Sequence, residues 1–231
     1  MLIEGPFLGD HGASNEAPAL IGPNAVLQLV HAMDRRLGHT PAQIICEAAG
    51  LSTLPDGTAM IPESDALHLH EVLNCLAPTE AMGIAVQAGR GTADYIIANR
   101  IPRVIAALLR ALPASLAAPL LMAAIRKHAW TFIGSGEFTP HTAWQFTIDR
   151  SGSGAAGSVP ETTFEWYAAV FERLYQSLVG PDCKCSMTDA STASRTQRSY
   201  RLYGTAGASD ALSSEAGALP QDSRIAFASR S

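Results

Sequence analysis

Cysteine is scarce in this chain: Cys46, Cys75, Cys183 and Cys185 are its four, and only the last two lie close together, as C-x-C. That number and scatter exclude a disulfide framework, the thiolate set of an iron–sulfur cluster and a structural zinc site with two paired clusters. A reducing, cytoplasmic setting is expected. Charge is scarce as well, at 16% of residues with a formal net charge of -5. The dense Lys and Arg that neutralise phosphates are missing, so nucleic acid is not an expected partner. No secretory leader is expected, because the first cation is Arg35 and Glu4, Asp10 and Glu16 precede it. Long hydrophobic spans are absent too. The nearest, Val104 to Ile125, is interrupted by Arg110, Pro113 and Pro119 and is read as two buried helices.

No dinucleotide or phosphate loop is visible. "GRGTADY" at 89–95 has two glycines around Arg90 and sits inside a helical pattern instead of between a strand and a helix. No cofactor is therefore evident from the residues themselves.

What is present is apolar material: 47% of 231 residues, enough to fill one sizeable core. The chain divides into an irregular arm at 1–20, a domain at 21–188, and a tail at 189–231. Ser, Ala, Thr, Gly and Arg dominate that tail without an apolar period, so it is expected to be disordered.

Inside the domain, Val26, Leu29, Val30, Met33 and Leu37 form one helical stripe, stopped by Gly38. Thr40 (with Gln43), Ser64, Thr79 and Thr162 (with Glu165) are candidate helix caps. The helix after Thr79 contains Gly83, Gly89 and Gly91, whose missing side chains suit a close helix neighbour or a flat ligand. Trp130 and Phe132, then Trp144, Phe146 and Ile148, alternate as the strands of a hairpin do, and another strand is expected near Cys183 to Met187. Phe164, Tyr167, Phe171, Leu174, Tyr175 and Leu178 mark a strong late helix. The class is α+β, helices packed on a small antiparallel sheet.

One region departs from the acidic whole. From Arg90 to Lys127 there are six cations, Arg90, Arg100, Arg103, Arg110, Arg126 and Lys127, against the single acid Asp94. These are either solvated helix faces or a site for a carboxylate ligand or an anionic membrane surface.

Four motifs occur in order: T-A-D-Y at 92–95, R-I-P-R at 100–103, H-A-W-T-F at 128–132 and F-E-R-L at 171–174. With "IGPNAVLQLVHAMDRRLG" at 21–38 they make the chain resemble, over about 21–180, the bacteriochlorophyll 4-vinyl reductase family. The resemblance implies a 4-vinyl-reductase-like ligand-binding domain acting at the 8-vinyl (4-vinyl) reduction step of divinyl chlorophyllide-type intermediates. It implies a magnesium tetrapyrrole as ligand or substrate, and other bacteriochlorophyll biosynthesis enzymes as partners. A homodimer and peripheral association with the inner or photosynthetic membrane are compatible with it.

Two departures from the family pattern stand out. Phe164 occupies the place of a family cysteine, which weakens a cysteine-based mechanism. The family's closing cysteine-bearing strands are replaced after "CKCSMTD" by the polar tail, so an edge strand is expected to be missing and the ending reads as a tailed variant or a frame artefact.

A planar apolar macrocycle with a propionate and a central magnesium needs aromatic walls, a cation and an imidazole. Tyr95, Trp130, Phe132 and Tyr167 are candidate walls, or ordinary core aromatics. Arg90, Arg100 and Arg103 are candidate carboxylate partners, and His128 is a candidate axial ligand or a surface histidine. No metal site of the protein's own and no catalytic residue is identified. Three functions stay open: binding and delivery of the tetrapyrrole, a genuine reductase using NADPH or another external donor, and a partner-binding assembly module.

Overall fold

Val26, Leu29, Val30 and Met33 form the buried side of α1 (Asn24–Leu37). Gly38 ends it at a φ of 88°, a conformation that glycine takes without strain, and α2 (His39–Ala48) leaves from that turn. The structure, a computed structural model, describes residues 18–152, 159–188 and 195–204. The arm up to residue 17 and the tail beyond residue 204 lie outside these.

Strands β1 (Leu20–Ile21) and β2 (Ile61–Pro62) pair antiparallel and lead into α1 and α3 (Glu63–Leu76). There follow α4 (Pro78–Asn99), α5 (Arg103–Ala111), α6 (Ala114–His128) and a single turn, α7 (Trp130–Ile133). Next come β3 (Glu137–Thr142), β4 (Gln145–Asp149), α8 (Glu161–Leu178), β5 (Lys184–Met187) and β6 (Gln197–Tyr203). The last four strands make one antiparallel sheet in the order β3-β4-β6-β5.

Helix α8 lies between the sheet and α4. On the sheet side Phe171 stacks on Phe146 at 4.0 Å between centroids, and Phe146 stacks on Tyr200 at 4.7 Å. The Tyr200 hydroxyl donates to the Phe164 carbonyl at 3.1 Å. Phe164, in the place of the family cysteine, is a fully buried ring with the Arg198 guanidinium 4.6 Å above it, so that position is a core contact.

Several expectations change. Trp130 and Phe132 belong to a helical turn, and the hairpin is formed by β3 and β4, with Thr139 and Pro140 inside a strand instead of in the connection. A four-residue turn is too short to show a helical period, so its i, i+2 aromatics imitate a strand. Helices α2, α3, α4 and α8 begin at His39, Glu63, Pro78 and Glu161, ahead of the Ser and Thr expected to cap them, and no side chain caps any of them. Proline at 62, 78 and 160 starts three of these helices instead, its fixed φ already suited to a helix start.

The largest change is β6. Residues 197–203 lie within the expected tail, yet they form an inner strand of the sheet, with Arg198, Tyr200 and Leu202 buried in alternation and Phe146 opposite Tyr200. The strand expected to be missing is therefore supplied from residues with few aliphatic side chains. Arg198 is held by Glu161 at 2.6 Å.

Helices α5 and α6 form where two helices were expected, but their outward sides are not buried. Ala106 and Leu109 turn inward from α5, while Val104 is 78% exposed and Ile105, Leu108, Leu116 and Leu120 are exposed as well. Val104, Ile105 and Leu108 are as apolar as the buried Leu109, so residue type alone does not tell which of the apolar positions on α5 face the core. Among the described residues no helix is long and apolar enough to cross a membrane.

His70 is the one buried histidine among the described residues, 3% exposed, with Nδ1 3.1 Å from Thr162 Oγ1; that oxygen accepts from Asn74 Nδ2 at 3.0 Å. Burial pushes its pKa down to about 3. The folded value lies below the unfolded value near 6.5, so the stability it confers is complete above pH ~6.5 and lost as pH falls from there toward ~3. Linkage gives a slope of about 1.4 kcal/mol per pH unit from this group. Urea unfolding at pH 7 and pH 5 is expected to show that loss in the parent and a smaller one in His70→Gln; equal losses would remove His70 as the cause.

Candidate functional site

The start of α1, the C-terminal halves of α4 and α6, the α7 turn and α8 enclose an open cavity of about 530 Å³. Ligand pockets of roughly 300–1,000 Å³ are the usual size for small organic ligands and cofactors. Ile96, Ile101, Leu121, Ile125, Val170 and Leu174 supply an aliphatic wall. They reach it because each helix presents it residues three or four apart: Thr92 with Tyr95 and Ile96 on α4; Leu121, Ile125 and His128 on α6; Trp166, Val170 and Leu174 on α8.

Six of the candidate side chains line this one cavity: Tyr95, Arg100, His128, Trp130, Phe132 and Tyr167. Arg100, the C-cap of α4, stands with its guanidinium carbon 5.9 Å from the Tyr95 ring centroid, within cation–π range. His128 ends α6, and its carbonyl accepts from Thr131 Oγ1 at 2.8 Å, which starts the α7 turn. Trp130 and Phe132 are two residues apart on that turn, so they point about 200° apart. Trp130 remains 61% exposed, whereas Phe132 packs edge-on against Tyr167 at 6.2 Å and Phe171 at 6.2 Å.

The inner part of the cavity rests on a buried ion pair. Arg150 Nη2 lies 3.1 Å from Glu63 Oε2, and both side chains are almost wholly buried. Arg150 Nη1 donates to the Tyr167 hydroxyl at 3.2 Å and to the Ile133 carbonyl, while Tyr167 donates to the Phe132 carbonyl at 3.0 Å. The Glu63 carboxylate also accepts from the Ser135 N–H at 2.9 Å and from the Ser135 hydroxyl. One pair thus ties α3, β4, α7 and α8 together and fixes two aromatic walls. Burial raises the Tyr167 pKa, and the Arg150 charge opposes that shift only in part, so the phenol stays neutral.

Two other cations go elsewhere. Arg90 pairs with Glu172 at 3.4 Å, a carboxylate that Lys184 also approaches at 3.7 Å. Arg103 is the exposed first residue of α5 and is not part of the lining. No cysteine lines the cavity. Burial raises the Cys46 and Cys185 pKa values, and it pushes Cys183 up to about 11, so these three thiols stay protonated and poorly nucleophilic. Among the described residues no group of three or more His, Cys, Asp or Glu is placed to hold a metal ion.

Sequence reasoning missed Trp166, Glu63 and Arg150. Trp166 lines the cavity, and its buried Nε1–H has no hydrogen-bond partner among the described residues. Its place beside Tyr167 and four residues before Val170 was a readable signal. Nothing local marks Glu63 and Arg150 as partners, since they are 87 residues apart.

No protein-family model matches the chain. It is 42% identical over 164 residues to the bacteriochlorophyll synthase 23 kDa chain of Rhodobacter capsulatus, covering 70% of this chain and 76% of that one. The protein of the same name from Cereibacter sphaeroides is 42% identical over 163 residues, covering 70% and 79%. In fold it is similar to a crystal structure of an Fe(II) unliganded H-NOX protein variant from K. algicida, with a TM-score of 0.51 at 10% identity, covering 80% of this chain and 97% of that one. A structure described as probing the function of heme distortion in the H-NOX family matches at a TM-score of 0.50 and 6% identity, covering 80% and 95%. The structural likeness concerns the α+β fold alone. The sequence identity, spread over two thirds of the chain, goes further: the chain belongs to the family of the bacteriochlorophyll synthase 23 kDa chain, whose bacteriochlorophyll 4-vinyl reductase motifs it carries.

Proposed function

We propose that this protein binds a magnesium tetrapyrrole intermediate of the divinyl chlorophyllide type in the α4–α6–α8 cavity and delivers it at the 8-vinyl reduction step. A role in bacteriochlorophyll biosynthesis follows from the family. The observation that carries the finer reading is the meeting, in one open cavity, of an aliphatic wall, six aromatic side chains, one arginine and one imidazole. Each answers a part of the ligand. The aliphatic and aromatic surface suits the macrocycle, Arg100 suits a propionate, and His128 suits the pigment's own magnesium. Heme, also a tetrapyrrole, is named for an H-NOX structure of related fold.

Delivery is favoured over self-contained reduction because a vinyl reduction needs a hydride or electron source, and the sequence carries no dinucleotide loop for one. Other proteins of the same pathway are the natural recipients. Titrating the purified protein in lipid-free buffer with magnesium divinyl chlorophyllide is expected to shift the Soret band, with saturation at one pigment per chain. Arg100→Ala is expected to weaken binding about tenfold, the size of one charge-assisted contact. His128→Ala is expected to move the bound spectrum with less change in affinity. No Soret shift at micromolar pigment would end the reading, and conversion to monovinyl pigment by the protein with NADPH alone would replace delivery with catalysis.

A further inference from the structure

We propose that the outward faces of α5 and α6, with Trp130, form a docking surface for an anionic lipid bilayer and hold the cavity mouth against it. Among the described residues twelve large apolar side chains are exposed, and six of them lie between positions 104 and 130: Val104, Ile105, Leu108, Leu116, Leu120 and Trp130. Exposed apolar surface concentrated in this way marks an interaction site. On α5 the positions 104, 105 and 108 share one side, while Arg103 and Arg110, seven residues apart, share another.

Charge decides which partner fits. No Asp or Glu occurs between Asp94 and Glu137, while Arg100, Arg103, Arg110, Arg126 and Lys127 do. No carboxylate of the described residues pairs with Arg103, Arg126 or Lys127. A helix lying in a membrane interface has this constitution: an apolar side for the acyl boundary, cations for the headgroups, and an interfacial tryptophan. A second copy of this chain would bring the same uncompensated cations to the contact, so an anionic surface fits better.

The docking face continues into the cavity. Leu116, Leu120, Ala124 and His128 follow one another every four residues along α6; the first two are exposed, and the last two line the cavity together with Trp130. Docking therefore sets the mouth at the depth where an apolar pigment partitions. Loading of pigment from the bilayer rests on the tetrapyrrole reading above, whereas docking itself does not.

The test uses the full chain and pigment-free vesicles, so its failure is separate from failure of the lipid-free pigment titration. The protein is expected to sediment with phosphatidylcholine vesicles containing phosphatidylglycerol, to be released by salt, and to bind phosphatidylcholine alone at least about tenfold more weakly. Trp144 and Trp166 are buried, so a blue shift of tryptophan emission on binding reports Trp130. Trp130→Phe is expected to abolish the shift while keeping sedimentation. The doubly substituted Val104→Asp, Leu108→Asp protein, with its circular dichroism unchanged because both positions are exposed, is expected to lose at least about tenfold in vesicle affinity, as is Arg126→Gln with Lys127→Gln. A protein that ignores anionic vesicles, binds neutral and anionic vesicles equally, or buries Trp130 only by self-association without lipid would overturn the proposal.

Discussion

Glu63→Ala is expected to destabilise the protein by about 3–5 kcal/mol, because it removes a buried carboxylate that stands 3.1 Å from the buried Arg150 guanidinium. Glu63 is 5% exposed and Arg150 2%, so water cannot take the place of the lost partner. The Ser135 N–H and hydroxyl lose their acceptor in the same step. Replacing both charges, as in Glu63→Leu with Arg150→Met, is expected to recover much of the loss, since removing both ends leaves no stranded charge. Urea unfolding of the two singles and the double measures this directly. Under the proposed tetrapyrrole-binding function, pigment affinity is expected to fall in Glu63→Ala as well, because Arg150 holds the Tyr167 hydroxyl and the Ile133 carbonyl beside the cavity. A Glu63→Ala protein as stable as its parent would show that the pair does not bear the fold's charge balance.

Gly89→Ala and Gly83→Ala are expected to act in opposite directions although both lie inside α4. A β-carbon on Gly89 would stand 2.5 Å from the Trp166 carbonyl oxygen and 2.8 Å from the Ala169 β-carbon. The first of these is backbone and has no rotamer to give, so α4 and α8 must separate. Overpacking of this kind outweighs the roughly 1 kcal/mol of helix propensity gained, for a net loss of about 3 kcal/mol. At Gly83 nothing lies within 4 Å of the added carbon, and the substitution is expected to gain up to about 1 kcal/mol. Thermal unfolding of the two variants separates them by sign. A stable Gly89→Ala would mean that the helices do not approach so closely.

Trp166 and Tyr167 move with α8, so the Gly89 contact bears on the site as well as on stability. It places the α8 side of the cavity close against α4, which carries Tyr95 and Arg100. Of the three glycines in α4, Gly89 is the one whose missing side chain a neighbouring backbone demands. At Gly91 the nearest group is the flexible Gln28 side chain, and Gly83 faces open space.

The sequence by itself determined the helices whose burial has a period, α1 and α8, the α+β class and the family motifs. It also named six side chains that line one cavity, because aromatics, an arginine and a histidine are recognisable by type wherever the fold places them. It misjudged elements whose signal is not local. Tyr200 and Leu202 count as strand residues only once Phe146 lies opposite Tyr200 and Glu161 neutralises Arg198. Val104 and Leu108 are as apolar as any core residue, and only the packing of α5 through Ala106 and Leu109 leaves them outside. Which arginine reaches the cavity was decided by tertiary pairing: Glu172 draws Arg90 away, and the end of α4 brings Arg100 in. Residue type limits what chemistry is available; contacts between distant parts of the chain decide where that chemistry meets, since burial and charge pairing are properties of the assembled fold and not of any single segment.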